Sequence, residues 1–128
     1  MIDKEKLREF RENCIKFLYI LEVGGEYERD EVEDDVYNTV LKIVDYTDDI
    51  EGIISSSLTG YTINRLNLVD KAIIKYAVYE MKYVKTPYEI VINEALEITK
   101  KYSDIDGKQV KFSNKVLDRA KDIINSGK

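Results

Sequence analysis

Three cations open the chain at helical spacing. Lys4, Arg8 and Arg11 fall at i, i+4 and i+7, so they share one side of any helix that carries them. Cations set a turn apart can straddle successive phosphates, which makes the stripe a candidate phosphate contact. Glu5, Glu9 and Glu12 lie on the same stretch, and the alternative is a salt-bridged surface helix. Glu80 is the second candidate, set in the apolar run Tyr76-Ala77-Val78-Tyr79-Glu80-Met81. A carboxylate buried there needs hydrogen-bond partners or a shifted pKa. It is either a functional acid or a group that ties helix ends together through backbone donors or an amide. Asn93 and Asn114 carry two interpretations as well: polar contacts between helices, or exposed contacts to a partner.

Catalysis finds little to work with. The chain has no histidine, which removes the commonest general base and the commonest metal ligand. The single cysteine, Cys14, makes neither an internal disulfide nor a thiol cluster. No glycine loop for phosphates and no paired nucleophile and base are present. The expectation is a protein that is not an enzyme and has neither cofactor nor metal site.

These residues need a scaffold, and composition says which kind. The 128 residues are 44% hydrophobic, with ten tyrosines, one proline and six glycines. That supports one domain with a real core and long uninterrupted elements, against both disorder and a turn-rich sandwich. The N-terminus MIDKEKLREF has no apolar signal region, and no apolar run reaches membrane-spanning length. A cytoplasmic protein is expected. Charge is unevenly spread: residues 1–60 hold 7 basic and 16 acidic side chains, residues 61–128 hold 13 and 9. The acids concentrate between Glu22 and Asp35. A chain of net charge −5 is not a free-standing nonspecific nucleic-acid binder, though local basic stripes still attract phosphate.

The hydrophobic period predicts an all-α bundle of about six to seven helices in two three-helix halves, about 1–58 and 62–126, within a single domain spanning 1–128. The first helix runs from Asp3 to Val23 on Leu7, Phe10, Cys14, Phe17, Leu18 and Leu21, and ends at Gly24-Gly25. A second begins near Asp30, and a third holds Ile50, Ile53, Ile54 and Leu58. Ser55–Thr62 is the joint. The central stretch from Leu66 to Val84 places Lys71, Lys75 and Lys82 on one narrow side and Glu80 opposite. Thr86-Pro87-Tyr88-Glu89 reads as a capping box, and a last helix carries Phe112, Val116, Leu117, Ala120, Ile123 and Ile124.

The segments NRLNLVDKAIIKYAVYEM, TPYEIVINEALEITKKY and KFSNKVLD, in that order, resemble the NusB family of transcription antitermination factors. LREFRENCIKFLYILE adds a weaker match to the family's arginine-rich first helix. The resemblance implies an all-helical fold of two helical halves. It implies binding of single-stranded boxA-type RNA together with the ribosomal protein NusE, within a transcription elongation complex, by a monomer or a homodimer. Carried over, Arg8 and Arg11 contact RNA, with Lys4 a neighbour supplied by this sequence. Tyr19 and Asp70 match positions near the partner and RNA surface, and Glu80, Asn93, Glu94 and Asn114 match architectural positions. Leu7 and Glu9 stand where basic residues are usual, which is expected to weaken RNA binding and flatten its salt dependence. Replacing Arg8 and Arg11 by alanine is expected to reduce RNA affinity and leave the bundle folded. The alternative function is an acidic helical interaction module that keeps the protein partner and has lost RNA.

Overall fold

The computed structural model describes residues 3–127, and its α-helices number six: α1 (Lys4–Glu22), α2 (Asp34–Asp45), α3 (Thr47–Ser57), α4 (Leu68–Tyr79), α5 (Tyr88–Tyr102) and α6 (Lys108–Ser126). No strand occurs among the described residues. Each helix starts or stops where the local chemistry dictates. The Asp3 carboxylate caps α1 by accepting from the Glu5 N–H at 2.9 Å, and Gly24 ends it at φ +69°. Asn67 caps α4 in the same way through the Val69 N–H at 2.8 Å.

Apolar residues come from every helix to one core: Cys14, Phe17 and Leu18 of α1, Val40 and Ile43 of α2, Ile50 and Ile54 of α3, Val91 and Ile98 of α5, and Leu117 and Ala120 of α6. α4 runs through the middle. Ala72 to Tyr79 are all buried, and the helix packs against each of the others. A helix apolar over most of its circumference belongs at such a centre. α1 and α5 both lie on α4, while α3 lies on α6.

Two boundaries differ from the sequence expectation. The helix expected from Asp30 starts at Asp34, because Arg29–Glu31 forms a 3-10 turn. Arg29 holds that turn by donating to the Val32 carbonyl and the Asp34 carboxylate, both at 2.8 Å, and by lying 3.9 Å from the Tyr37 ring. The capping box at Thr86 does not form. α4 continues into a π turn, Glu80–Val84, that closes through Lys85 in the left-handed region at φ +66°. That turn leaves Thr86 outside α5, whose cap residue is Pro87 with no side-chain bond.

Candidate nucleic-acid interface

The N-terminal half of α1 and the face of α5 opposite it enclose an open groove of about 1050 Å³. Its walls carry Lys4, Leu7, Arg8 and Arg11 from α1, and Ile90, Asn93, Glu94 and Lys101 from α5. The sequence thus gathers its first candidate stripe on one wall and two of its patterned α5 residues on the other.

Four ion pairs lie in and beneath the groove. Arg11 donates to both carboxylate oxygens of Glu80, Nε to Oε1 at 2.8 Å and Nη2 to Oε2 at 2.7 Å. Arg8 repeats the fork on Glu94, at 2.7 and 2.6 Å, and Arg11 Nη1 also lies 3.7 Å from Glu94. Lys101 and the Tyr102 hydroxyl both donate to Glu12. The forked geometry suits guanidinium and carboxylate better than any lysine pair. Its electrostatic signature is consistent. Hydrogen bonding to Arg8 holds the Glu94 carboxyl below the ordinary range. Burial alone would raise Glu12, but the bonds from Lys101 and Tyr102 outweigh it and leave that group lowered too. The same bonds keep Arg8 and Arg11 firmly protonated.

The predicted residues therefore separate. Lys4 is exposed at the groove edge, and Arg8 is partly exposed beside it. Arg11 is 5% exposed and Glu80 4%, so their bond is an internal one between α1 and the turn after α4. Glu80 is tied by a guanidinium, where backbone donors or an amide were expected. Asp70, expected at a partner surface, is 2% exposed; it accepts from Ser103 Oγ and Gln109 Nε2, and burial pushes its carboxyl up. Tyr19 is exposed. Asn93 and Asn114 are exposed and, among the described residues, bonded to no other helix, so the fold does not use them as interhelical contacts. Because the loss of Arg11 strands a buried carboxylate, alanine there is expected to destabilise the bundle, unlike alanine at Arg8.

Sequence reasoning missed the Lys16–Lys101–Tyr102 cluster. Lys101 lies 5.1 Å and Lys16 5.7 Å from the centre of the exposed Tyr102 ring, a cation–aromatic arrangement open to solvent. The signal was the basic last turn of α5, Lys100-Lys101-Tyr102, which pattern alone does not place beside α1.

The carboxylates set a pH dependence. Glu12, Glu22, Asp49 and Glu94 are lowered by cationic partners in the folded chain. Their stabilisation is present above the unfolded pKa of about 4 and is lost as pH falls through the lower folded values. Asp70 has the opposite sign: its raised folded pKa favours folding at low pH, and that contribution fades as pH rises through it. Four groups against one predict a Tm that drops steadily below about pH 5; melting curves from about pH 7 to about pH 3 check it, and a flat Tm would contradict it.

Among the described residues no group of His, Cys, Asp and Glu is placed to hold a metal ion, and no helix is long and apolar enough to cross a membrane.

The family model described as the NusB family matches residues 4–122. Curated relatives include the transcription antitermination protein NusB of Bacillus mycoides, 31% identical, with 93% of this chain and 99% of that one covered. The corresponding Bacillus cereus protein matches at the same identity and coverage. Among solved structures, T. maritima NusB superposes at a TM-score of 0.75 with 27% identity, covering 90% of this chain and 89% of that one. A chain in a crystal structure of a plectonemic RNA supercoil also reaches 0.75, at 25% identity, covering 94% and 97%.

Proposed function

Because the chain belongs to the NusB family, we propose that it is a cytoplasmic antitermination factor that binds boxA-type RNA jointly with NusE and acts by binding, without catalysis. The observation that carries the RNA part is the α1–α5 face, where Lys4 and Arg8 line the groove and Lys16 and Lys101 lie 5.7 and 5.1 Å from the exposed Tyr102 ring. Cations for phosphates next to an aromatic face for a base are what a single-stranded RNA needs. Likeness to a chain crystallised with RNA supports the same conclusion.

The chain alone binds weakly in this scheme. The groove is lined by five glutamates against four cations, and Arg8 must exchange Glu94 for a phosphate. NusE would supply the missing positive charge and complete the surface. The same neutralisation favours the second possibility, a module that keeps the protein partner and does not touch RNA.

Fluorescence anisotropy of labelled boxA RNA against a scrambled control, with and without NusE at two salt concentrations, separates the two. Selective, salt-sensitive binding by the pair is expected. Lys4→Ala with Arg8→Ala should weaken it roughly tenfold and lower the log–log salt slope by about 1.4, near 0.7 per phosphate contact on a single strand. Unchanged affinity in a folded double variant would move the function to protein binding alone.

A further inference from the structure

A second row of cations runs along α6, away from the α1–α5 groove lining. Lys108, Lys111, Lys115 and Arg119 follow one another at i, i+3, i+7 and i+11, so they form one stripe, and all are exposed. Lys111, Lys115 and Arg119 are a turn apart, about 6 Å at each step. Among the described residues neither Lys111 nor Lys115 makes an ion pair; Lys108 has Asp106 at 3.7 Å, and Asp118 borders the stripe. This contrasts with Arg8 and Arg11, both committed to glutamates.

The loop joining α3 to α4 is fastened along this stripe. Arg119 donates to Thr59 Oγ1 at 2.8 Å and to the Ser57 carbonyl at 3.4 Å. Tyr61 packs on Phe112 with ring centres 5.6 Å apart, and its hydroxyl donates to the Arg65 carbonyl at 2.9 Å. The Arg65 guanidinium lies 5.7 Å from the Tyr61 ring, and both residues are exposed. An exposed aromatic face thus stands next to this row, in which Lys111 and Lys115 have no ion-pair partner among the described residues. The charge in this half of the chain, 13 basic against 9 acidic side chains, has the sign that such a row requires.

We propose that α6 and the Tyr61–Arg65 loop form a second track for single-stranded RNA, holding nucleotides that flank the segment bound at the α1–α5 groove. Turn-by-turn cations follow a phosphate backbone, and Tyr61 offers a stacking face that an acidic peptide would not need. The track rests on the chain being an RNA-binding protein, as proposed above.

The test compares labelled boxA RNA with the same RNA extended on both sides by single-stranded uridine tracts, each titrated at saturating NusE. The extended RNA should bind about tenfold more tightly. Arg65→Gln with Lys111→Gln and Lys115→Gln should remove that gain, lower the salt slope for the extended RNA by about 2, and leave the short RNA unchanged. These side chains are exposed and unpaired, so the variant should melt with the wild type, which circular dichroism verifies. Equal binding of the two RNAs by the wild type, or an unaltered gain in the variant, overturns the track. So does a variant that loses NusE and retains RNA, which would assign the stripe to a protein. Binding of neither RNA overturns both proposals; a gain lost on α6 with no effect of Lys4→Ala and Arg8→Ala removes the groove and keeps the track.

Discussion

Arg11→Ala is expected to destabilise the bundle by about 3–5 kcal/mol, the usual cost of removing one partner from a buried ion pair. On a chain of this size that lowers Tm by roughly 10–20 °C. The expectation rests on geometry. Both guanidinium–carboxylate contacts are shorter than 3 Å, and both side chains are almost fully enclosed. With Arg11 gone, Glu80 faces Tyr76, Cys14 and the apolar floor between α1 and α4, and Arg8 stays bonded to Glu94. Glu80→Ala should cost a similar amount for the mirror reason. Arg11→Lys keeps the charge but loses the fork, and should fall between.

The double change Arg11→Met with Glu80→Leu is the sharper measurement. Taking both charges away removes the desolvation cost together with the attraction, so the double variant should recover to within about 2 kcal/mol of wild type. Chemical denaturation of the three variants gives the coupling directly. A single-variant loss below about 1 kcal/mol would mean that water reaches the pair in solution. The result also governs how RNA experiments are read: affinity lost by a variant at Arg11 reports folding, whereas affinity lost at Lys4 or Arg8 reports the groove.

Helices were legible because their signals are local. The apolar period of α1, the glycines after it, and the nearly all-apolar α4 each reflect interactions within a few residues, and all appear where expected. The two missed boundaries have non-local causes. Arg29 folds onto Tyr37 eight residues on, and the π turn after α4 redirects the chain before Thr86 can cap anything. Neither the partner ring nor the turn is encoded in a short window.

The site was legible in composition but not in partnership. Spacing put Lys4, Arg8 and Arg11 on one side of α1, and they do line one wall. It weighed Glu5, Glu9 and Glu12 as their counter-ions, yet the carboxylates that matter come from 69 and 86 residues away, Glu80 for Arg11 and Glu94 for Arg8. Asp70 shows the same limit. The family resemblance put it near a surface, but Ser103 and Gln109 close over it from α5's end and α6's start. The wheel separated the α4 lysines from Glu80, and their partners do differ: Lys71 and Lys75 meet Glu22 and Glu51, while Glu80 meets Arg11. What it could not give is that each side is matched by acids or an arginine from other helices.

That lysine side carries the last large effect. Lys75 is 3% exposed, yet its ammonium reaches Glu22 Oε1 at 2.6 Å and Glu51 Oε2 at 3.3 Å, so one side chain joins α4 to both α1 and α3. Lys71, a turn earlier, touches the same two carboxylates at 3.3 and 3.6 Å. Burial alone would raise the Glu22 carboxyl; the two ammonium groups reverse that and hold it below the ordinary range. Lys75→Ala is therefore expected to cost about 2–3 kcal/mol, less than Arg11→Ala because Lys71 remains to answer the charge. Lys71→Ala, at the more open end, should cost about 1 kcal/mol. If the lysines share one pair of carboxylates, removing both should cost more than the sum of the single changes, since neither glutamate then keeps a cation. Glu22→Gln should recover part of the loss in the Lys75→Ala background and should also reduce the fall in Tm on acidification. Denaturant midpoints for the four variants decide it. Strict additivity would show that the two lysines act on separate partners.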